Sequence, residues 1–118
     1  MVAINLFRHD AQAITVPAGQ LIFDVGSPPD CMYGVIDGAV DVVAHGVVLE
    51  TVGAGGIVGE LALIDSTPHS AAAVAKTECR VSRVDQKRFE WLVAEHPTFA
   101  LTVMKIMAER LRRASGTN

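Results

Sequence analysis

The chain has 118 residues, of which 50% are hydrophobic and 19% are charged, a balance typical of one globular domain rather than of a disordered segment. Its formal net charge of -3 provides no positive field for non-specific binding to nucleic acid. The sequence has neither a run of about 18 apolar residues nor a signal-peptide pattern, so it predicts no membrane span and no secretion. Cys31 and Cys79 lack metal-ligand spacing, and we expect buried thiols in a cytoplasmic protein without a metal or other cofactor.

Short apolar runs alternate with turn residues in the first two thirds of the chain, at intervals of about 8–12 residues that are typical of an all-β sandwich or roll. Two dipeptides, Asp37-Gly38 and His45-Gly46, lie between such runs and predict tight hairpins. The candidate strands are Ile14–Val16, Gln20–Phe23, Met32–Ile36, Ala39–Val43, Val47–Val52, Ala71–Ala75 and Cys79–Val84.

The spacing of apolar residues becomes helical after the last candidate strand. It predicts one helix over Gln86–Glu95, with Phe89 and Trp91 in the core, and a second helix from Pro97 to about Arg113. The second helix carries two adjoining apolar flanks, and we expect one flank to pack on the roll and the other on a second subunit. The alternative is a single broad core face. The two flanks are Ala100, Met104, Met107 and Leu111, and Phe99, Val103 and Ile106.

The segment 58–71 contains the candidate site. Gly59 precedes a short predicted helix, Glu60–Ile64, whose first N–H groups have no helical partner and are suited to an anion. Ser70 follows a tight turn and can reach the same place. The Glu60 carboxylate, which we expect at the rim, is suited to accept a hydrogen bond from a sugar hydroxyl. Because a carboxylate inside an apolar turn is costly to desolvate unless it is paired, a ligand role is the favoured interpretation.

This segment resembles the phosphate-binding cassette of cyclic nucleotide-binding domains, whose pattern is roughly G-E-L-A-L-x-x-x-x-P-R-[ST]-A. Segments 17–23 and 30–38 resemble β-roll segments of the same family, and segment 97–113 resembles the long helix through which its bacterial members dimerise. The resemblance covers nearly the whole chain and implies a mostly β fold with C-terminal helices, a jelly-roll-like double-stranded β-helix. The matching cassette residues are Gly59, Glu60, Leu61, Ala62, Leu63, Pro68, Ser70 and Ala71.

The resemblance also implies a role for each cassette residue. Glu60 would bind the ribose 2′-OH, and the two amides that follow it would bind the cyclic phosphate together with Ser70. Gly59 would let the ligand approach the backbone closely, although Gly59 and Leu61 could instead only shape the roll. The candidate ligand-binding residues are therefore Gly59, Glu60, Leu61, Ala62, His69, Ser70 and Ala71.

His69 departs from the family pattern, since it stands where the family has an arginine that grips the phosphate. An imidazole is shorter, offers no pair of parallel donors and is mostly neutral near pH 7. Losing a charge-assisted hydrogen bond costs about 1.5–3 kcal/mol. Three interpretations remain open: the domain binds cAMP or cGMP weakly, it has become a ligand-free dimerisation or interaction module, or it binds a different small anion.

We expect one domain over residues 1–118, with the β-roll over about 12–85 and the helices over about 86–113. No nucleophile–base pair is evident, so we expect a regulatory module and not an enzyme. Bacterial regulators of the family continue from the long helix into a helix-turn-helix, whereas this sequence ends at Asn118. We therefore expect no direct DNA binding and a separate effector protein. Arg110, Arg112 and Arg113 are explained at this stage by the helix dipole and solvation.

Overall fold

The computed structural model describes residues 4–115, which form two four-stranded antiparallel sheets and three helices. The first sheet has the order β1-β8-β3-β6 and the second has the order β2-β7-β4-β5. This arrangement confirms the predicted mostly β class with C-terminal helices. The strands are β1 (Ile14–Val16), β2 (Leu21–Phe23), β3 (Cys31–Asp37), β4 (Val40–Ala44), β5 (Val47–Val52), β6 (Ile57–Val58), β7 (Ala72–Ala75) and β8 (Cys79–Asp85), and the helices are α1 (Glu60–Asp65), α2 (Gln86–Glu95) and α3 (Pro97–Ser115).

The first sheet contributes to cores on both of its faces, since alternate residues of a strand point to opposite sides and several of its strands carry buried side chains on each. On β3, Met32 belongs to the core beneath the helices, whereas Val35 belongs to the core between the two sheets. β6 repeats this division with Ile57 and Val58. The core between the sheets consists of Val16, Val35, Val40, Val52, Val58, Ala73, Ala75, Cys79 and Val81.

One predicted hairpin is confirmed and the other is wrong. His45 and Gly46 have φ angles of 53° and 74° and connect β4 to β5, as a type I′ turn requires. The prediction at Asp37-Gly38 fails because β3 and β4 lie in different sheets. Gly38, with a φ of 84°, instead turns the chain from one sheet to the other. The strand β6 was not predicted, because two residues are too short to show a period.

The N-terminal segment contributes to the core. The sequence analysis placed the start of the roll near residue 12 and so did not include this segment in the roll. Ile4 and Phe7 are buried, and the Phe7 ring meets Phe99 of α3 edge to face at 6.2 Å between centroids. Asp10 accepts hydrogen bonds from Ser82 Oγ at 2.5 Å and from Arg88 at 3.2 Å. These contacts attach the segment to both β8 and α2, so it belongs to the folded domain.

The helix α3 buries one of its two predicted apolar flanks, formed by Phe99, Val103 and Ile106. On the other flank Met107 is half-buried and packs against the same core, whereas Met104 and Leu111 are exposed. On α2 the prediction for Trp91 is wrong, because its side chain is 57% exposed and lies outside the core, while Phe89 packs against the core as expected.

Among residues 4–115 no helix is both long enough and apolar enough to cross a bilayer.

Candidate functional site

The backbone turn at Gly59 positions the first residue of α1. Gly59 has a φ of +81°, a left-handed backbone conformation that residues with a Cβ atom rarely adopt. A Cβ atom at this position would lie 2.8 Å from His69 Cε1 and 3.1 Å from Phe23 Cε2. The glycine was expected to admit a ligand. In this structure the space above its Cα is taken by the two rings.

His69 is buried, with only 5% of its surface exposed, and its ring stacks on Phe23. The ring centroids are 3.9 Å apart and the planes differ by 22°. The backbone holds the same residue from both sides, since Gly26 N–H donates to His69 O at 2.8 Å and His69 N–H donates to Ser27 O at 3.1 Å. The residue at the family's arginine position is thus folded inward against the roll.

Burial lowers the pKa of His69 below its ordinary value of 6.5, because the charged imidazolium would lose its hydration. The negative charges of Asp30 and Glu60 oppose this effect without cancelling it. The imidazole is therefore neutral at pH 7, and the ligand-free site has no positive charge at the position where the family places one.

Glu60 is the first residue of α1 and its surface is only 3% exposed, so the expectation of a carboxylate at the rim is wrong. The reason is a partner that the sequence analysis did not identify. Arg110 of α3 donates from Nη1 to Glu60 Oε1. This ion pair compensates the buried carboxylate for part of the hydration that it loses on folding.

The same guanidinium contacts the second sheet. Arg110 Nε donates to Glu50 Oε1 at 3.0 Å, and Nη2 donates both to Glu50 Oε2 at 3.3 Å and to Ile57 O at 2.6 Å. Arg113 Nη2 lies 3.4 Å from Glu50 Oε1. Burial alone would lower the pKa of Arg110, but the nearby carboxylates of Glu60 and Glu50 outweigh it and the pKa is raised. One permanent cation therefore joins β5, β6, α1 and α3.

The assignment of Arg110 to the helix dipole and solvation is consequently wrong. A signal for its role was present in the sequence, because Val103, Ile106 and Arg110 follow one another at steps of three and four residues. A basic residue in line with a buried apolar flank needs a partner in the fold. The sequence contained no comparable signal for Glu50 or Phe23, which reach the site only through the strand pairings.

The remaining candidate residues lie around this centre. Ala62 is buried in α1, whereas the neighbouring Leu61 is exposed. Ser70 is exposed and Ala71 is half-buried just before β7. α1 has six residues, so its dipole is small and an anion would depend on the loop amides and on neighbouring side chains. The structure brings Gly59, Glu60 and His69 into one group, with Leu61, Ser70 and Ala71 at its edge.

Chemically, the group offers the Glu60 carboxylate as a hydrogen-bond acceptor and a guanidinium with four of its five N–H groups already in hydrogen bonds. The imidazole beside them is neutral. Since one arginine faces the carboxylates of both Glu50 and Glu60, these three side chains together have an excess of negative charge. The arrangement suits recognition of a hydroxyl-bearing ligand.

Comparison with known proteins identifies relatives of this fold and site. A family model for the cyclic nucleotide-binding domain matches residues 13–96. The chain is 27% identical over 118 residues to a CRP-like cAMP-activated global transcriptional regulator of Mycobacterium tuberculosis, covering 96% of this chain and 53% of that protein. It is 35% identical over 99 residues to a cyclic nucleotide-gated potassium channel of Mesorhizobium japonicum, covering 84% of this chain and 27% of the channel. The chain thus spans about half or less of the length of these relatives.

Among solved structures, the catabolite activator protein of Thermus thermophilus is similar to this fold with a TM-score of 0.78 and 28% sequence identity. The similarity covers 88% of this chain and 51% of that one. The family model extends over well over half of the sequence, across the two sheets, the cassette and α2. The chain therefore belongs to the cyclic nucleotide-binding domain family.

Proposed function

We propose that this domain binds a cyclic nucleotide, cAMP or cGMP, in the segment 59–71 and acts as a regulatory module. The observation that carries the proposal is the buried Glu60 carboxylate at the start of α1, which forms an ion pair with Arg110. Arg110 uses Oε1 of this carboxylate, and the second oxygen can accept a hydrogen bond from a ribose hydroxyl. Relatives named as cAMP-activated and as cyclic nucleotide-gated support the ligand class.

The other residues of the cassette would serve the phosphate. In this proposal the amides of Leu61 and Ala62 and the hydroxyl of Ser70 donate to the cyclic phosphate, and Ala71 continues the chain into β7. His69 contributes weakly, since its neutral ring is stacked on Phe23. Binding of the phosphate is therefore weaker than with an arginine at this position, by about ten- to a hundredfold.

The test is calorimetric titration of the purified domain with cAMP and with cGMP. We expect saturable binding of at least one of them by the wild type, with weaker binding of its 2′-deoxy analogue. A Glu60→Ala variant should bind the nucleotide and its 2′-deoxy analogue alike while keeping residual affinity for the phosphate. Glu90→Ala on α2, away from the cassette, is the control for an equal loss of charge. A wild type and a His69→Arg variant that both fail to bind would refute the proposal.

A second candidate function, a ligand-free interaction module, is favoured by one specific observation. The rings of His69 and Phe23 fill the space above Gly59 that the family pattern assigns to ligand approach. If the stack is permanent, the cassette is only structural. A crystal structure of the domain soaked with cAMP discriminates between the two, because nucleotide binding requires the His69 ring to move and the interaction module does not.

We further propose that the domain forms a homodimer through Pro97–Arg113. Leu101, Met104 and Leu111 are exposed on α3, at the three- and seven-residue steps of a coiled-coil seam. A helix that buries one flank in its own domain and exposes apolar side chains on the other is suited to pair with a second copy. Covering these side chains would stabilise a dimer, since each large apolar residue contributes about 1.5–3 kcal/mol when fully buried.

The wider role that fits these features is that of a sensor acting on a separate effector protein, without catalysis of its own. The net charge of -3 opposes direct DNA binding, and a gel-shift assay with duplex DNA at physiological salt should show no sequence-specific complex. A cytoplasmic location fits the two buried free thiols, Cys31 and Cys79.

A further inference from the structure

We propose that Glu50 sets the affinity of the cassette for its anionic ligand, by holding the Arg110 guanidinium and neutralising the charge that would otherwise favour a phosphate. This inference rests on the proposed function and adds to it a residue outside the cassette. Glu50 lies on β5, in the second sheet, ten residues before Glu60 in the sequence. It acts on the ligand through Arg110 and is therefore a positioning residue.

The geometry of the contact supports this role. Both Glu50 oxygens accept from Arg110, Oε1 from Nε and Oε2 from Nη2, which is the two-pronged arrangement that binds guanidinium to carboxylate most specifically. The side chains are 22% and 18% exposed, so the pair is only partly hydrated. The register of the hairpin pairs Glu50 with Val42, whose side chain packs against the core between the sheets. The carboxylate is thus held on the inner side of the hairpin, facing α3.

The charge balance explains why this contact weakens anion binding. Among the described residues, Arg110 forms the sole ion pair to Glu60, and the neutral His69 adds no positive charge. Glu50 occupies two of the five N–H groups of the guanidinium and supplies a second negative charge. Arg113 also lies 3.4 Å from Glu50, but its side chain is 52% exposed, so water screens much of its charge. Within the less exposed group of Arg110, Glu50 and Glu60, an entering phosphate meets two carboxylates and one guanidinium. Without the charge of Glu50, Arg110 and Glu60 would balance, and two donors could turn toward the ligand.

The substitution Glu50→Gln isolates this effect. The amide oxygen of glutamine can still accept from Arg110, so α3 keeps an attachment to the hairpin while the negative charge is removed. The matched control is Glu109→Gln, which makes the same change of charge one residue from Arg110, at an exposed position of α3. A merely structural role of Glu50 predicts that its loss weakens binding or leaves it unchanged. The proposed role predicts the opposite sign.

The experiment measures cAMP and cGMP affinity of the wild type, Glu50→Gln and Glu109→Gln by calorimetry near pH 7.5. We expect Glu50→Gln to bind about tenfold more tightly than the wild type, and Glu109→Gln to stay within about twofold of it. The gain should shrink as salt is raised, because screening weakens the repulsion that Glu50 exerts on the phosphate. An affinity of Glu50→Gln that equals the wild-type value or falls below it overturns the inference.

A second measurement does not depend on nucleotide. The Nε–H signal of Arg110 in isotope-labelled protein should shift and exchange faster with water in Glu50→Gln than in the wild type and in Glu109→Gln. An unchanged signal would show that Glu50 does not hold the guanidinium, and the inference would fail while the proposed function stood. If wild type, Glu50→Gln and His69→Arg all bind neither nucleotide, the proposed function fails and the inference falls with it.

Discussion

The imidazole of His69 lies face to face on the ring of Phe23, at 3.9 Å between centroids, directly above the backbone of Gly59. His69, which stands where the family pattern has an arginine, is thereby held inside the protein by stacking on an aromatic ring. Burial of the stacked ring lowers the pKa of His69 and so favours its neutral form. Any anionic ligand must overcome these contacts, which makes this position the most informative one for mutation.

The variant His69→Arg should bind cyclic nucleotide more tightly, because it adds a permanent charge and two parallel donors. Arginine can also stack on Phe23, so the aromatic surface need not become exposed. We expect a gain of about 1.5–3 kcal/mol in binding free energy in calorimetric titrations with cAMP and cGMP. His69→Lys is the control for charge without the two-pronged geometry and should recover part of the gain. If the arginine variant gains nothing, the cassette has no productive phosphate position.

The affinity of the wild type for cyclic nucleotide should depend on pH through His69. A bound phosphate favours the imidazolium and raises the pKa of His69 above its lowered ligand-free value. Affinity should then increase as pH falls through the ligand-bound pKa, and it should level off below the ligand-free pKa, which lies under 6.5. Titrations between about pH 5 and pH 8 measure this. In His69→Arg the dependence should disappear, and a wild-type profile that is equally flat would contradict the prediction.

The stability of the ligand-free domain should respond to pH with the opposite sign. Since the unfolded chain has the ordinary His69 pKa of 6.5 and the folded chain a lower one, the unfolded state binds more protons between the two values. The free energy of unfolding should therefore fall as pH drops below 6.5 and stop falling below the pKa of the folded state. Urea denaturation of wild type and His69→Gln at several pH values tests this. The difference between the two proteins should become independent of pH above about pH 7.5, where His69 is neutral in both states and only the loss of its ring stack remains.

Arg110→Gln should destabilise the fold, because it leaves the buried Glu60 carboxylate and the partly buried Glu50 carboxylate without their common partner. Removing one partner of a buried ion pair costs about 3–5 kcal/mol, and the partial exposure of Arg110 places the expected loss near the lower end, at about 3 kcal/mol. The measurement is urea denaturation. Arg112→Gln, two residues along on the exposed side of α3, is the matched control and should change stability little. The double variant Arg110→Gln with Glu60→Gln should recover part of the loss.

Met104→Glu should convert the proposed homodimer into monomers, because it would place an unpaired carboxylate in the exposed apolar seam of α3. Light scattering at tens of micromolar reports the mass directly. Thr102→Glu introduces the same charge on the same helix outside the seam and should leave the dimer intact. A wild type that is monomeric at this concentration would show that the exposed flank of α3 has another purpose.

The sequence by itself was sufficient for those features that depend on neighbouring residues. The strand spacing, the turn at His45-Gly46, the change to helical period after β8 and the cassette pattern from Gly59 to Ala71 are all local. Each of them depends on the preferences of a few neighbouring residues, so each can be predicted from the sequence alone. The prediction of a mostly β fold with C-terminal helices followed from these local patterns and from the family resemblance.

Only the tertiary structure decided which side chains meet at the site. Arg110 is 50 residues from Glu60 and 60 from Glu50, and Phe23 reaches His69 across the loop at residues 26–27. The strand registers and the packing of α3 on the core bring these residues together. Neither of them leaves a local pattern in the sequence. The carboxylate expected at the rim is buried and the glycine expected to admit a ligand faces two rings, because the electrostatic partner and the aromatic partner both come from distant elements.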